Sequence, residues 1–178
     1  MIDQQYFFEH YKALTISQKF GIRYILDAYE ALPHIDRLDW LAYCLATTKH
    51  ETANKFEPIK EYGKGRGKKY GLSDPDTGHA YYGRGYVQLT WKDNYRKLSD
   101  ICEVDLVNNP DLALEPDIAA KIMFEGMFRG LFTGKKLADY MNDKETDYYN
   151  ARRIINGLDK AELIAGYAKE FESCIKLT

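Results

Sequence analysis

The sequence has no marked excess of either charge: 25 Lys plus Arg face 27 Asp plus Glu, a net of −2 over 178 residues. A protein that neutralises phosphates without regard to sequence carries a strong basic excess, so no nucleic-acid partner is expected. Cysteine is scarce. Cys44, Cys102 and Cys174 are odd in number, far apart and set in apolar stretches. That pattern fits buried thiols in a reducing compartment, not a disulfide framework or a zinc site. Apolar runs stay short, as at Leu41–Ala46, far below the roughly 20 residues a bilayer span needs, so no stable membrane insertion is expected. The opening residues Met1-Ile2-Asp3-Gln4-Gln5-Tyr6 show neither the basic nor the apolar region of a secretory signal, and the expectation is synthesis in the cytoplasm. Internal repeats, low-complexity tracts and linkers are also missing, so the length suits one domain over residues 1–178.

The chain does have tyrosine: 15 of them, within an aromatic share of 14%. Tyrosine pairs an apolar body with a polar tip and suits a wet cleft as well as a half-buried surface. Most of the sequence reads as helix. Phe20, Tyr24, Ala28 and Leu32 recur every fourth position, which predicts a helix from Ser17 to Leu32 with that face, Tyr24 included, in the core. Asp36 and Asp39 read as a capping box for a helix carrying Leu38, Leu41, Leu45, Thr48 and Thr52 on one side. Thr90 and Asp93 read as the cap of a helix reaching about Ile101, and Pro116 as the first-turn proline of another. Gly157 reads as the left-handed terminator of a helix over about 146–156. A last helix carries Leu163, Ile164, Tyr167, Phe171 and Ile175. Between Phe56 and Leu89 the pattern breaks, with seven of the 13 glycines and two prolines. A short hairpin is expected near 81–89, and an irregular segment this long in a compact domain is usually functional.

Within His50-Glu51-Thr52-Ala53-Asn54 a zinc protease reading fails: the second histidine is replaced by Asn54, and His10, His34 and His79 lack ligand spacing. Glu51 falls at the edge of a buried stripe near a helix C-terminus, where partial desolvation and the helix dipole both favour the protonated form of a general acid. Glu61 follows ten residues later, beyond a turn containing Pro58. Two carboxyls on facing cleft walls are the minimum apparatus for glycoside hydrolysis, and Glu57 competes with Glu61 for the second place. Lys60, Lys64, Arg66, Lys68 and Lys69 form a basic cluster without the phosphate-loop pattern. It reads either as a solvated loop or as an attractor for a polyanion such as a bacterial cell wall. In Gly83-Arg84-Gly85-Tyr86-Val87-Gln88-Leu89-Thr90, alternation places Tyr86, Gln88 and Thr90 on one face, an aromatic plate, an amide and a hydroxyl for gripping a sugar and a water. Asn94, one helical turn beyond Thr90, faces the same way.

These residues resemble glycoside hydrolase family 19, the chitinase-like branch of the lysozyme superfamily, and within it the compact phage and prophage endolysins. The resemblance rests on His50-Glu51-Thr52, on Phe56-x-Pro58-Ile59-x-Glu61, on the block from Gly83 to Asn94-Tyr95, on Asn109-Pro110-Asp111-Leu112-Ala113, and on Arg153-Ile154-Ile155-Asn156-Gly157. It implies a mainly α, lysozyme-like α+β fold: a helical domain whose irregular segment and short hairpin form one wall of a substrate cleft. It further implies an inverting mechanism with Glu51 as general acid, Glu61 as general base and Thr90 holding the attacking water. Gln88, Asn94 and Asn156 match sugar-contacting positions, and His50, Tyr86 and Tyr95 join them as substrate-binding candidates. No cofactor or metal is implied.

Departures from the plant chitinases shape the substrate expectation. The stretch between the two glutamates is shorter, the plant disulfides and chitin-binding module are absent, and Asn156-Gly157-Leu158-Asp159 has one glycine fewer and carries Asp in place of Glu. These differences point to peptidoglycan glycan strands, with chitin as the alternative. The picture is a monomeric endolysin made in the host bacterial cytoplasm, which reaches the periplasm and wall after a holin permeabilises the membrane. A non-catalytic glycan-binding or phage structural relative is the alternative of another class. Glu51, Glu61 and Thr90 together disfavour it, since binding alone needs no such trio.

Overall fold

The structure, a computed structural model, describes residues 1–11, 14–32 and 36–178; His34 lies outside the described residues. Six α-helices run in the order α1 (Gln4–His10), α2 (Ile16–Glu30), α3 (Leu38–Glu51), α4 (Lys92–Cys102), α5 (Pro116–Arg129) and α6 (Ala161–Cys174). Two short strands, β1 (Ile59–Lys60) and β2 (Arg84–Gly85), pair antiparallel with Ile59 opposite Gly85 and Lys60 opposite Arg84. No described helix is long and apolar enough to cross a membrane.

Helix α3 is the axis of the core. Every residue from Leu41 to Thr48 is buried, which only a helix surrounded by others tolerates. It packs chiefly along α6, and α5 meets it through sulfur: Thr48 Oγ1 donates to Met123 Sδ at 3.1 Å, and Cys44 Sγ to Met127 Sδ at 3.8 Å. All three cysteines are buried and free. Burial pushes the Cys102 thiol up to about 11 and the Cys44 thiol higher still, so neither ionises near neutral pH.

The expected helix faces and caps are corrected in four places. Phe20 is 67% exposed and Tyr24 39%, while Ile22, Ile25, Leu26 and Tyr29 form the buried face of α2. A strict four-residue spacing drifts about 40° per step around a helix of 3.6 residues per turn, whereas the i, i+3, i+4, i+7 set stays on one side. Asp39 does not complete a capping box with Asp36: Arg37 is the N-cap of α3, and its guanidinium grips Asp39 at 3.0 and 2.6 Å. Thr90 is not a cap either; Trp91 takes that place in α4 with φ +73°. The helix expected over 146–156 is only a 3₁₀ turn at Asn150–Ile154, started by Asp147, whose carboxylate accepts the Asn150 N–H at 2.9 Å. Gly157 is not left-handed there.

After α3 the chain turns through left-handed residues at Ala53, Asn54 and Phe56. Thr52 organises this turn, donating to the Thr48 carbonyl at 2.7 Å and accepting the Phe56 N–H at 3.0 Å. Helix α2 straps the turn down: Gln18 Nε2 donates to the Asn54 carbonyl at 2.7 Å, and Ser17 donates to Glu57. Gly21 lies directly under Phe56, where a Cβ would overlap the Phe56 carbonyl oxygen. Gly21→Ala is expected to cost about 1–3 kcal/mol through that overlap, read as a lowered denaturant midpoint; an unchanged midpoint would show that the turn yields freely.

Candidate active site

The C-terminal end of α3 delivers Glu51 to a cleft of about 370 Å³. The irregular segment contributes Tyr70 and the stretch from Val87 to Trp91, α4 adds Asn94, and the C-terminal half adds Phe132, Ile155 and Asn156. Five of the residues selected from sequence are thereby gathered at one site: Glu51, Gln88, Thr90, Asn94 and Asn156.

The pairing of β1 with β2 brings the second carboxylate alongside. The Glu61 N–H donates to the Gly83 carbonyl at 2.7 Å, continuing the ladder. Its side chain accepts from the Gly83 N–H and from the Tyr70 hydroxyl, both at 3.1 Å. Tyr70 therefore joins Glu61 to the cleft. Burial first, and then the adjacent Glu61 carboxylate, raise the Tyr70 phenol above its usual value, so Tyr70 keeps its proton and acts as the donor. A Cβ on Gly83 would press on both Gln88 and Glu61, and its absence lets the two side chains lie together. Glu57, the competitor, is exposed and engaged by Ser17 of α2.

Gln88 spends its amide protons on structure, donating to the Ile59 and Gly85 carbonyls at 3.1 and 3.2 Å. Its φ is +55°. Asn94 Nδ2 donates to the Thr90 carbonyl at 3.0 Å. The Thr90 hydroxyl has no partner among the described residues and is left for a ligand or water.

Three candidates fall elsewhere, which corrects the alternation argument for the block after Gly83. Tyr86 is 1% exposed and Tyr95 fully buried; both belong to the core beneath the wall. Tyr95 donates to the Tyr82 carbonyl at 2.8 Å and accepts from Arg84 at 3.0 Å. Arg84 also binds Asp111 at 2.8 Å, and Lys60 binds the other Asp111 oxygen at 2.7 Å. Burial of the Asp111 carboxyl works to raise its pKa, but the hydrogen bonds and charges of Lys60 and Arg84 outweigh it and hold it below the usual carboxylate range. The two-residue strand and the tight Arg84–Leu89 bridge break the period-2 alternation, so Tyr86 turns inward with Val87 and Leu89. His50 is half-buried on α3 and does not line the cleft.

Three residues of the site escaped sequence reasoning: Phe132, Trp91 and Arg152. Arg152 is 3% exposed, and its Nη1 donates to Glu51 Oε1 at 2.7 Å while its Nε donates to the Asp159 carbonyl at 3.1 Å. Asp159 thus enters the charge network through its backbone. The only trace of Arg152 in the sequence is a pair of arginines set between Ala151 and Ile154. Trp91 is 49% exposed, with its ring edge-on to Tyr70 at 5.3 Å. A tryptophan with φ +73° pays for strain, and such strain persists where the surroundings impose it, often at binding sites. Among the described residues no cluster of His, Cys, Asp or Glu is placed to hold a metal.

A helical domain with an acid at the end of its central helix, opening on a polar cleft walled by a small sheet, is the lysozyme-like glycosidase architecture. The family model described as Chitinase class I, that of glycoside hydrolase family 19, matches residues 40–130, just over half of the chain. The chain belongs to glycoside hydrolase family 19. The fold is that of chitinase C from Streptomyces griseus HUT6037, with TM-score 0.64, 23% identity and coverage of 97% of this chain and 75% of that one. A bacterial family 19 chitinase matches with TM-score 0.59 and 20% identity over 96% of this chain and 91% of that one. Chitinase 11 of Oryza sativa subsp. japonica is 38% identical over 84 residues, 45% of this chain. That stretch spans 31% of the rice protein. The family match stops short of Arg152 and Asn156, which the fold brings to the cleft.

Proposed function

We propose that residues 1–178 act as one catalytic domain that hydrolyses β-1,4 bonds between N-acetylhexosamines with inversion. The observation that carries this reading is the grouping of Glu51, Thr90, Gln88, Asn94 and Asn156 in one cleft, with Glu61 joined to it through Tyr70. Arg152 occupies Glu51 Oε1, so Oε2 carries the proton to the glycosidic oxygen. As the bond from C1 to that oxygen breaks, Glu61 takes a proton from a water steadied by Thr90, and the water oxygen bonds C1 from the opposite face. Carboxyls separated by roughly 6.5–9.5 Å leave room for that water. Trp91 and Tyr70 offer aromatic surface to the sugar rings, Gln88 offers its amide oxygen, and Asn94 and Asn156 offer amides.

Chitin is the polymer named by the relatives, and it is the first substrate to test. Proton NMR of a chitin hexamer during cleavage should show the α-anomer as the first product; the β-anomer would overturn the inverting assignment. Glu61→Gln should lower the rate by about 10²–10⁴-fold, the range for a lost general base, while Glu57→Gln leaves it near wild type. The opposite ranking would move the base to Glu57.

The second reading keeps the chemistry and changes the polymer. It is a phage-type endolysin, a monomer made in the host cytoplasm, that cuts peptidoglycan after a holin opens the membrane and so lyses the host. The basic loop beside the cleft favours it.

A further inference from the structure

The loop from Gly63 to Gly71 is built as a sequence of tight turns. Lys64 N–H donates to the Glu61 carbonyl, Arg66 N–H to Gly63 and Lys68 N–H to Gly65, each at 2.9 Å, and Gly71 N–H donates to Lys68 at 3.1 Å. Gly65 and Gly71 touch backbone to backbone, so a Cβ on either would overlap the other. Gly65, with φ +70°, is buried at that contact. This pinch fixes the shape of the loop and turns its side chains outward: Lys64, Arg66, Lys68 and Lys69 are all exposed. Among the described residues none of the four meets a carboxylate.

The neighbouring acids are already engaged. Glu61 is held by Tyr70 and Gly83, Asp111 by Lys60 and Arg84, and Asp74 by Lys92 at 2.8 Å. Lys60, the fifth member of the sequence cluster, is thereby neutralised, while the other four keep their charge free. Lys69 directly precedes Tyr70, which lines the cleft. The loop that presents Phe132 to the cleft runs on into Lys135 and Lys136, both exposed. A chain of net charge −2 thus carries a cluster of exposed cations on the loop that delivers Tyr70 to the cleft.

We infer that Lys64, Arg66, Lys68 and Lys69 form a docking rim for an anionic glycan polymer, which they draw into the cleft by its carboxylates. This rests on the glycosidase reading of the cleft and specifies its substrate class. Chitin is uncharged and gives such a rim nothing to bind. Peptidoglycan has the same β-1,4 N-acetylhexosamine backbone and bears carboxylates at short intervals on its peptide stems, so it meets the rim and the cleft together. Attraction of this kind raises encounter rates by about 10–10³-fold and falls with ionic strength, because the screening length shrinks from about 30 Å at 0.01 M salt to about 10 Å at 0.1 M.

The test compares the wild type with a variant carrying Lys64→Gln, Arg66→Gln, Lys68→Gln and Lys69→Gln. A charge-matched control carries Lys19→Gln, Lys97→Gln, Lys144→Gln and Lys169→Gln, four exposed lysines away from the cleft. Binding to purified peptidoglycan sacculi and to colloidal chitin is measured by co-sedimentation at low and high salt, beside cleavage of a neutral chitin hexamer. Wild type and control should lose sacculus binding about tenfold or more as salt rises, and the rim variant should bind at low salt as weakly as wild type does at high salt. Chitin binding and hexamer cleavage should be the same in all three. Salt-independent sacculus binding by the wild type, or equal losses in rim variant and control, would overturn the rim. If no protein cleaves the hexamer or the sacculi, the hydrolase reading falls, and the salt-dependent binding still decides the rim on its own.

Discussion

Glu51→Gln should reduce glycan hydrolysis by about 10²–10⁴-fold, the contribution of a positioned general acid, with the fold intact. The substitution keeps side-chain volume, and the amide oxygen can still accept from Arg152 Nη1, now 2.7 Å from Glu51 Oε1. What it removes is the group proposed to give a proton to the glycosidic oxygen. The buried Arg152 guanidinium also loses its counter-charge, so some stability is lost and rates must be compared well below the melting temperature of the variant. The measurement is hexamer cleavage beside a near-ultraviolet circular dichroism spectrum. Wild-type turnover in a folded Glu51→Gln protein would remove Glu51 from the mechanism.

Arg152→Met should be the most damaging single change outside the apolar core. Its side chain is 4% exposed and that of Glu51 16%, and removing one partner of a buried pair costs about 3–5 kcal/mol because the other charge is stranded. The Asp159 carbonyl loses its donor as well. Against a typical total stability of about 5–15 kcal/mol, that loss brings unfolding close to working temperatures. Activity should fall by about 10²-fold in the protein that remains folded, since a displaced acid no longer meets the glycosidic oxygen. Arg152→Lys restores the charge without the planar fork that reaches Glu51 and Asp159 at once, so it should recover stability only in part. Chemical denaturation of the three proteins separates these outcomes: equal midpoints for wild type and Arg152→Met would mean that the pair holds nothing together.

Helix α3 was legible because a buried helix writes a continuous apolar run, here Leu41–Ala46, and Glu51 was singled out from its place at the end of that helix. The turn residues between Glu51 and Glu61 left Glu57 and Glu61 both open as the second carboxylate, and only the β1–β2 register shows why Glu61, not Glu57, lies beside Tyr70 at the cleft. Other features were hidden for identifiable reasons. The face of α2 was misread because two apolar sets coexist there, and tertiary packing chose the one containing Ile22 and Leu26. The true start signal of α2, a capping box between Thr15 and Gln18, is local and was readable. Tyr86 and Tyr95 look like cleft residues by composition, yet a two-residue strand is too short for alternation to govern direction. Arg152 lies 101 residues from its partner, and a pair so distant leaves no local pattern.

The contact between Gly65 and Gly71 separates the chemistry of its loop from the loop's shape. Backbone alone fixes the path past Glu61 and Tyr70, so Lys64, Arg66, Lys68 and Lys69 are free to drift in sequence without moving either residue. A lineage that exchanged these cations for neutral or acidic side chains would change which polymers it approaches and keep the same catalytic geometry. Selection on host or habitat can therefore act on the rim while the cleft behind it stays constant, provided both glycines are retained.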